Sequence, residues 1–205
     1  MLTACILAYN EEHCIGRTLD SLKGHTSGII VVNDNSTDRT IEIAKSKGAT
    51  VLNLPWRVSE KGFGKAVNWM LAQATTDWVL LIDADELVPE IDKIYPLLRE
   101  PDKFVWALPR RKWENFDKKV RTEYESYPDW QIRLINTNKM YNFTGAMHIR
   151  FAGEKVHKAY RGPHIDHLQN EYRTKEKTVQ RKELYTNLAA VQGVAVQGGK
   201  TLAEE

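Results

Sequence analysis

Within the first 85 residues, four short apolar runs alternate with segments whose apolar residues recur at helical spacing. Parallel strands need a crossover between them and a helix supplies it, so this pattern predicts βαβ units and a largely parallel sheet. Residues 2–8 read as the first strand, and Ile15, Leu19 and Leu22 after them lie at helical spacing. Residues 29–32 are the second, followed by Ser36 or Thr37 as the N-cap of a helix burying Ile41 and Ala44. Residues 50–54 are the third strand. A loop over 55–64 leads into a helix through Val67, Met70 and Leu71, and residues 78–82, apolar on both faces, form a central fourth strand.

Beyond Pro89 the pattern weakens. Ile91, Ile94, Leu97 and Leu98 suggest a short helix, residues 104–108 and 130–135 strands, and residues 171–190 an exposed helix with charges around Val179, Leu184 and Leu188. Residues 196–205, with Gly198 and Gly199, read as a frayed tail. No repeat or linker justifies a domain boundary, and 205 residues with 42% hydrophobic content suffice for one sizeable core.

Charge and apolar runs bound the partners. The formal charge of +2 is too balanced to point to nucleic acid, and no nucleic-acid partner is expected. Residues 1–102 carry 10 basic and 15 acidic side chains and residues 103–205 carry 19 and 12, so the second half is the basic one. No run approaches the roughly 20 apolar residues that span a bilayer, and no basic region precedes the first strand as in a secretory signal. The expected compartment is the cytoplasm, with peripheral membrane contact through the basic half left open. Cys5 and Cys14 fit neither a disulfide scaffold nor a common zinc spacing and read as reduced thiols.

In open parallel sheets ligands bind beyond the carboxyl ends of the strands. Here the first strand runs into Tyr9-Asn10-Glu11-Glu12, the second into Asn33-Asp34-Asn35-Ser36 and the fourth into Asp83-Ala84-Asp85-Glu86. Carboxylates at i and i+2 on one strand end suit a hard divalent cation such as Mg²⁺ or Mn²⁺, which in turn holds a diphosphate. The dinucleotide fingerprint is absent, because Tyr9-Asn10-Glu11 stands where its glycines belong. The Walker loop is absent too: Ser59 replaces its first glycine and Ala66 follows Gly64-Lys65. Gly62-Phe63-Gly64 reads as a flexible loop.

Three stretches together, residues 6–12 (ILAYNEE), 31–40 (VVNDNSTDRT) and 77–86 (DWVLLIDADE), resemble family-2 glycosyltransferases of the GT-A fold. The chain is most similar to the branch of lipopolysaccharide-core glucosyltransferases, through the D-A-D-E ending, Arg133-Leu134 and the Gly145-Ala146-Met147-His148 motif. The resemblance implies one GT-A domain, with residues 1–100 binding the nucleotide-sugar and 101–195 facing the acceptor. It implies a metal-dependent, inverting transfer of a hexose from a UDP-sugar, or less readily a GDP-sugar, to a glycan or lipid-linked hydroxyl, as in cell-envelope polysaccharide synthesis.

The same resemblance implies residue roles. Tyr9 lies against the base, Asn33 or Asp34 binds its edge, Asp83 contacts ribose and sugar, and Asp85 binds Mn²⁺ or Mg²⁺; Ala8, Glu11, Lys65 and Ala84 complete the donor site. His148 and His167 compete as a further metal ligand, and Arg173, Lys175 and Lys177 reach phosphate or an anionic acceptor. Asp129 is the candidate catalytic base, with Glu123 and Glu125 as rivals; Ile149 stands where relatives place an acid after the histidine. Trp106, Trp113 and Trp130 belong either to the core or to a sugar site, and His13, His25, His157 and His164 are expected at the surface. Two other readings remain: a nucleotidyltransferase, disfavoured by the missing glycine-rich basic loop, and an inactive nucleotide-sugar binding module.

Overall fold

Four parallel strands form the first half of the sheet, as the alternation of apolar runs predicts. In the computed structural model, which describes residues 1–115, 117, 119–121, 127–140, 142–152, 155–168, 172, 175–192, 196–197 and 200–201, β1 (Leu2–Ala8) lies between β2 (Gly28–Asn33) and β4 (Trp78–Asp83). β3 (Thr50–Asn53) pairs with β2 at the edge. The crossovers carry α1 (Ile15–Leu22), α2 (Thr40–Ser46), α3 (Val58–Lys61) and α4 (Phe63–Leu71). Residues 55–64, expected to be a loop, therefore contain α3 and the first two residues of α4.

The second half adds β5 (Glu86–Leu87), β6 (Val105–Asn115), β7 (Val120–Arg121), β8 (Asp129–Asn136), β9 (Phe143–Thr144), β10 (Arg150–Phe151), β11 (Val156–Lys158), β12 (Ile165–His167) and the helix α5 (Lys175–Gln192). The strand order is β3-β2-β1-β4-β8-β6-β12-β5, with β8 antiparallel to both β4 and β6. β5 follows β4 after only two residues yet closes the far end of this order, so the sheet curls back on itself. That curl returns β12 to the tip of β4.

The sheet is packed on both faces. Ala4, Ile6, Trp78, Leu80 and Ile82 pack toward α1 and α2, while Cys5, Val79 and Leu81 pack toward α4 and α5. Alternate burial of β4 on both sides is what its uninterrupted apolar run requires. Leu188 and Ala189 of α5 are buried and Leu184 and Tyr185 pack beside them, so the helix has one anchored stripe and is not exposed throughout. Pro96 divides residues 91–99 into two 3₁₀ turns, Ile91–Ile94 and Leu97–Arg99, in place of one helix. Residues 196–197 and 200–201, expected to fray, pair as a two-residue antiparallel ladder. No helix among the described residues is long and apolar enough to cross a membrane.

Candidate active site

A cavity of about 800 Å³ opens beyond the carboxyl ends of β1, β2 and β4, and Tyr9, Glu11, Asp34, Asp83 and Asp85 all line it. The loops after β1 and β2 are laced together to form its edge. Ser36 Oγ accepts the Asn10 N–H at 3.1 Å, Asn10 Oδ1 accepts the Thr37 N–H at 2.8 Å, and Asp38 accepts the N–H groups of Glu12 at 3.1 Å and Thr40 at 2.9 Å. Asp38 thus accepts the first N–H of α2, whose N-cap position is Arg39, and neither Ser36 nor Thr37 takes that position. Asn10 and Ser36 are committed to the loops themselves.

The tip of β4 is held at every backbone position. Glu86 Oε2 accepts the Asp83 N–H at 3.0 Å, Thr18 Oγ1 donates to the Ala84 carbonyl at 2.6 Å, and the Leu168 N–H donates to the Asp85 carbonyl at 2.8 Å. Ala84, 4% exposed, packs in the core beneath the tip. The last of these bonds comes from the residue after β12, and it seats His167 so that its Nε2 lies 3.4 Å from Asp85 Oδ2.

A chain of alternating charge runs from Asp83 across the sheet. Arg133 Nη2 donates to Asp83 Oδ2 at 2.6 Å and to Glu86 Oε1 at 2.7 Å, and Arg110 Nη1 reaches the same Glu86 oxygen at 3.3 Å. Arg110 also donates through Nε at 3.0 Å and Nη2 at 2.8 Å to Asp129, which accepts from Gln131 at 2.7 Å and pairs with Lys112 at 3.3 Å. Glu86 is fully buried. Burial pushes its carboxyl upward, but the Arg133 guanidinium, with His167 and Arg110, outweighs that and holds it below the ordinary range.

After β1, Glu11 accepts from Cys14 Sγ at 3.0 Å and pairs with Lys177 of α5. Burial raises the Glu11 carboxyl and Lys177 pulls it back only partly. Lys177, Gln180, Arg181, Leu184 and Tyr185 form one stripe of α5 along the cavity. Asp34 is buried, accepts the Val58 N–H at 3.0 Å and so begins α3; burial raises its carboxyl against that bond and Arg57.

Several expectations need correction. Asn33 donates to Asn53 Oδ1 at 3.0 Å and accepts the Ser36 N–H at 2.8 Å, so its amide is used at the strand ends; Asp34 is the member of the pair that lines the cavity. Ala8 contributes its carbonyl to the Asp34 N–H and takes no place in the lining. Lys65 is exposed on α4 and also outside the lining. The N-terminus of α4 is no phosphate cradle, because the Phe63 and Gly64 N–H groups donate to the carbonyls of Ala146 at 2.9 Å and Gly145 at 3.0 Å. A Cβ on Gly64 would stand 2.7 Å from the carbonyl carbon of Thr144, so Gly64 permits a backbone contact and is not part of a flexible loop.

Asp129 is a poor fit to the role of base. It is absent from the lining, and although burial raises its carboxyl, Arg110 chiefly and also Gln131 and Lys112 hold it below the ordinary range, which weakens it as a proton acceptor. Glu123, Glu125 and Arg173 lie outside the described residues. His148 is exposed and lines the cavity, whereas His167 is the histidine beside Asp85. Trp106 and Trp113 are buried, the latter donating to Asp166 at 2.7 Å, while Trp130 lines the cavity. Lys175 is exposed. His13 is exposed, but His157 packs on Trp106, and His164 is largely buried against Arg111. Both cysteines are buried free thiols, and burial pushes Cys5 up to about 12.

The composition of the site suits a divalent ion. A carboxylate and an imidazole lie side by side, and among the described residues no cluster of three metal-ligating side chains occurs. A protein-held pair leaves coordination positions for ligand phosphates and water, and the imidazole suits Mn²⁺ better than the harder Mg²⁺.

The family model of glycosyl transferase family 2 matches residues 3–160. An uncharacterized glycosyltransferase of Rickettsia typhi is 40% identical over 101 residues, 46% of this chain and 32% of that protein. Glycosyltransferase SunS of Bacillus phage SPbeta is 34% identical over 92 residues, 45% of this chain and 22% of that protein. The chain thus spans at most about a third of the length of these curated relatives. Residues 1–349 of Staphylococcus aureus TarS superpose with a TM-score of 0.58 at 17% identity, covering 92% of this chain and 65% of that one. Glucosyl-3-phosphoglycerate synthase from Mycobacterium tuberculosis, in complex with Mn²⁺ and UDP-glucose, superposes with a TM-score of 0.56 at 17% identity, covering 97% and 81%. At these identities the likeness establishes the GT-A fold.

Proposed function

The chain belongs to glycosyl transferase family 2, and from that premise we propose that it moves a hexose from a UDP-sugar, with a divalent metal, to a hydroxyl acceptor with inversion at the anomeric carbon. The observation that carries this reading is the 3.4 Å approach of His167 to Asp85 at the tip of β4 inside the cavity. Uridine is favoured over guanosine because the structural neighbours are solved with UDP-glucose and UDP-GlcNAc.

In this mechanism Tyr9 covers the base and Asp34 accepts from its edge. Asp83, oriented by Arg133 and by its own N–H on Glu86, accepts hydroxyls of ribose and donor sugar. Asp85 and His167 would hold the metal, which when bound would supply positive charge against the diphosphate. Lys177 and Arg181 of α5 add positive charge to the lining of the same cavity. Asp129 holds Arg110 and Lys112 on the acceptor side. A glycan or lipid-linked acceptor, a role in the cell envelope and contact with a membrane surface belong to this proposal.

Calorimetric titration with UDP and GDP, with and without Mn²⁺, tests it. UDP binding should strengthen at least tenfold with Mn²⁺ and exceed GDP binding, and UDP-glucose should be hydrolysed slowly without acceptor. Equal UDP affinity with and without the metal would overturn the reading.

A further inference from the structure

The cavity wall built by β6 and β8 carries groups for which donor binding has no use. Trp130 lines the cavity there, and the ring of Tyr160, just after β11, packs edge-on against it with centroids 5.0 Å apart and planes at 72°. Tyr160 is 77% exposed. The turn that presents it is well formed: the Gly162 N–H donates to the Ala159 carbonyl at 3.0 Å, and Ala159 is buried. An aromatic pair at the mouth of a polar cleft, with one ring in solvent, offers a face on which the apolar side of a pyranose can stack.

The surroundings of that face are cationic. Lys158 Nζ stands 5.4 Å from the centre of the Trp130 ring, and Arg110 and Lys112 share the Asp129 carboxylate next along β8. Arg110 and Lys112 thus flank one carboxylate, and Lys158 adds a third positive charge beside the neighbouring ring. Trp130 lies three residues before Arg133, the partner of Asp83, hence about 10 Å along the strand from the donor side.

We propose that Trp130, Tyr160, Lys158 and Lys112 form the acceptor subsite, and that it takes a pyranose bearing an anionic group, either a phosphate ester or a carboxylate. This inference rests on the transferase reading above and adds the chemical class of the acceptor. The rings set the sugar plane, and the lysines select its charge.

The test uses the full chain with UDP and Mn²⁺ present and titrates glucose 6-phosphate, glucuronate, methyl glucoside and inorganic phosphate, read by saturation-transfer NMR and calorimetry. One or both anionic sugars should bind at least tenfold more tightly than methyl glucoside, and which of them does so distinguishes phosphate from carboxylate. Tyr160→Ala and Lys158→Ala should each weaken that binding about fivefold or more, while Trp130→Phe retains most of it. Tyr160 and Lys158 are exposed, so both variants are expected to fold. Methyl glucoside binding as tightly as the anionic sugars, inorganic phosphate matching glucose 6-phosphate, or an unchanged Tyr160→Ala variant would each overturn the proposal. Failure of UDP and Mn²⁺ to bind the unaltered protein sinks the donor reading instead, and is seen separately in the same titrations.

Discussion

Arg133 and Glu86 form a buried ion pair, Nη2 to Oε1 at 2.7 Å, with side chains 9% and 0% exposed. The same nitrogen of Arg133 also holds Asp83, so the orientation of a cavity carboxylate depends on a pair hidden beneath it. Breaking a buried pair from one side leaves an uncompensated charge. Glu86→Leu or Arg133→Leu should therefore cost about 3–5 kcal/mol in urea unfolding, and the double substitution should cost less than the sum of the two. Additive losses would show that the pair is not coupled.

Asp85→Ala should abolish the Mn²⁺-dependent gain in UDP affinity while leaving metal-free UDP binding within about twofold. His167→Ala should lower the gain and His148→Ala should leave it intact, because only His167 stands beside Asp85. Calorimetry on the three variants separates the two histidines. A larger loss at His148 would reverse their roles.

Gly64→Ala should destabilise the fold by about 1–3 kcal/mol, since the new methyl meets backbone of Thr144 that has no flexible end to yield. Lys65→Ala, one position away and exposed, should change stability by less than about 0.5 kcal/mol and leave UDP affinity unaltered. Thermal melts and UDP titration of the two proteins distinguish a packing glycine from a phosphate loop. Near-equal melting points would remove the packing argument.

Asp129 supplies a pH dependence of known sign. Its folded acidity is strengthened relative to the ordinary value of 3.8, despite burial, by Arg110, Gln131 and Lys112. The stabilisation is fully present above that ordinary value and is lost as pH falls through the lower folded value. Asp129→Asn should thus unfold more easily than the unaltered protein at pH 6, and the gap should narrow as the pH falls below about 4. A gap that stays constant across this range would contradict the pairing.

Reading the cavity-lining residues from the sequence succeeded where they follow a strand end. Asp83 and Asp85 directly continue an apolar run, and Tyr9, Glu11 and Asp34 follow β1 and β2 in the same way, so their convergence needs only parallel pairing. It failed where a residue is consumed by neighbours. Asn33 has the right type and position, yet Asn53 and Ser36 use its amide. Lys65 follows Gly62-Phe63-Gly64, but the Phe63 and Gly64 N–H groups are taken by the carbonyls of Ala146 and Gly145. The sequence signal for the buried pair is Glu86 of the D-A-D-E ending together with Arg133 of the Arg133-Leu134 motif: a buried acid demands a cation, and Arg133 supplies it.

What the sequence determined by itself is the parallel half of the sheet and its acidic tips, because period, burial and strand ends are local properties of consecutive residues. Tertiary structure alone decided which distant groups meet those tips. Arg133 reaches Asp83 across 50 positions and Lys177 reaches Glu11 across 166. β12 brings His167 to Asp85 while paired with β5, and strands of three and two residues are too short to leave a periodic trace; the curl of the sheet that pairs them is a property of the whole fold.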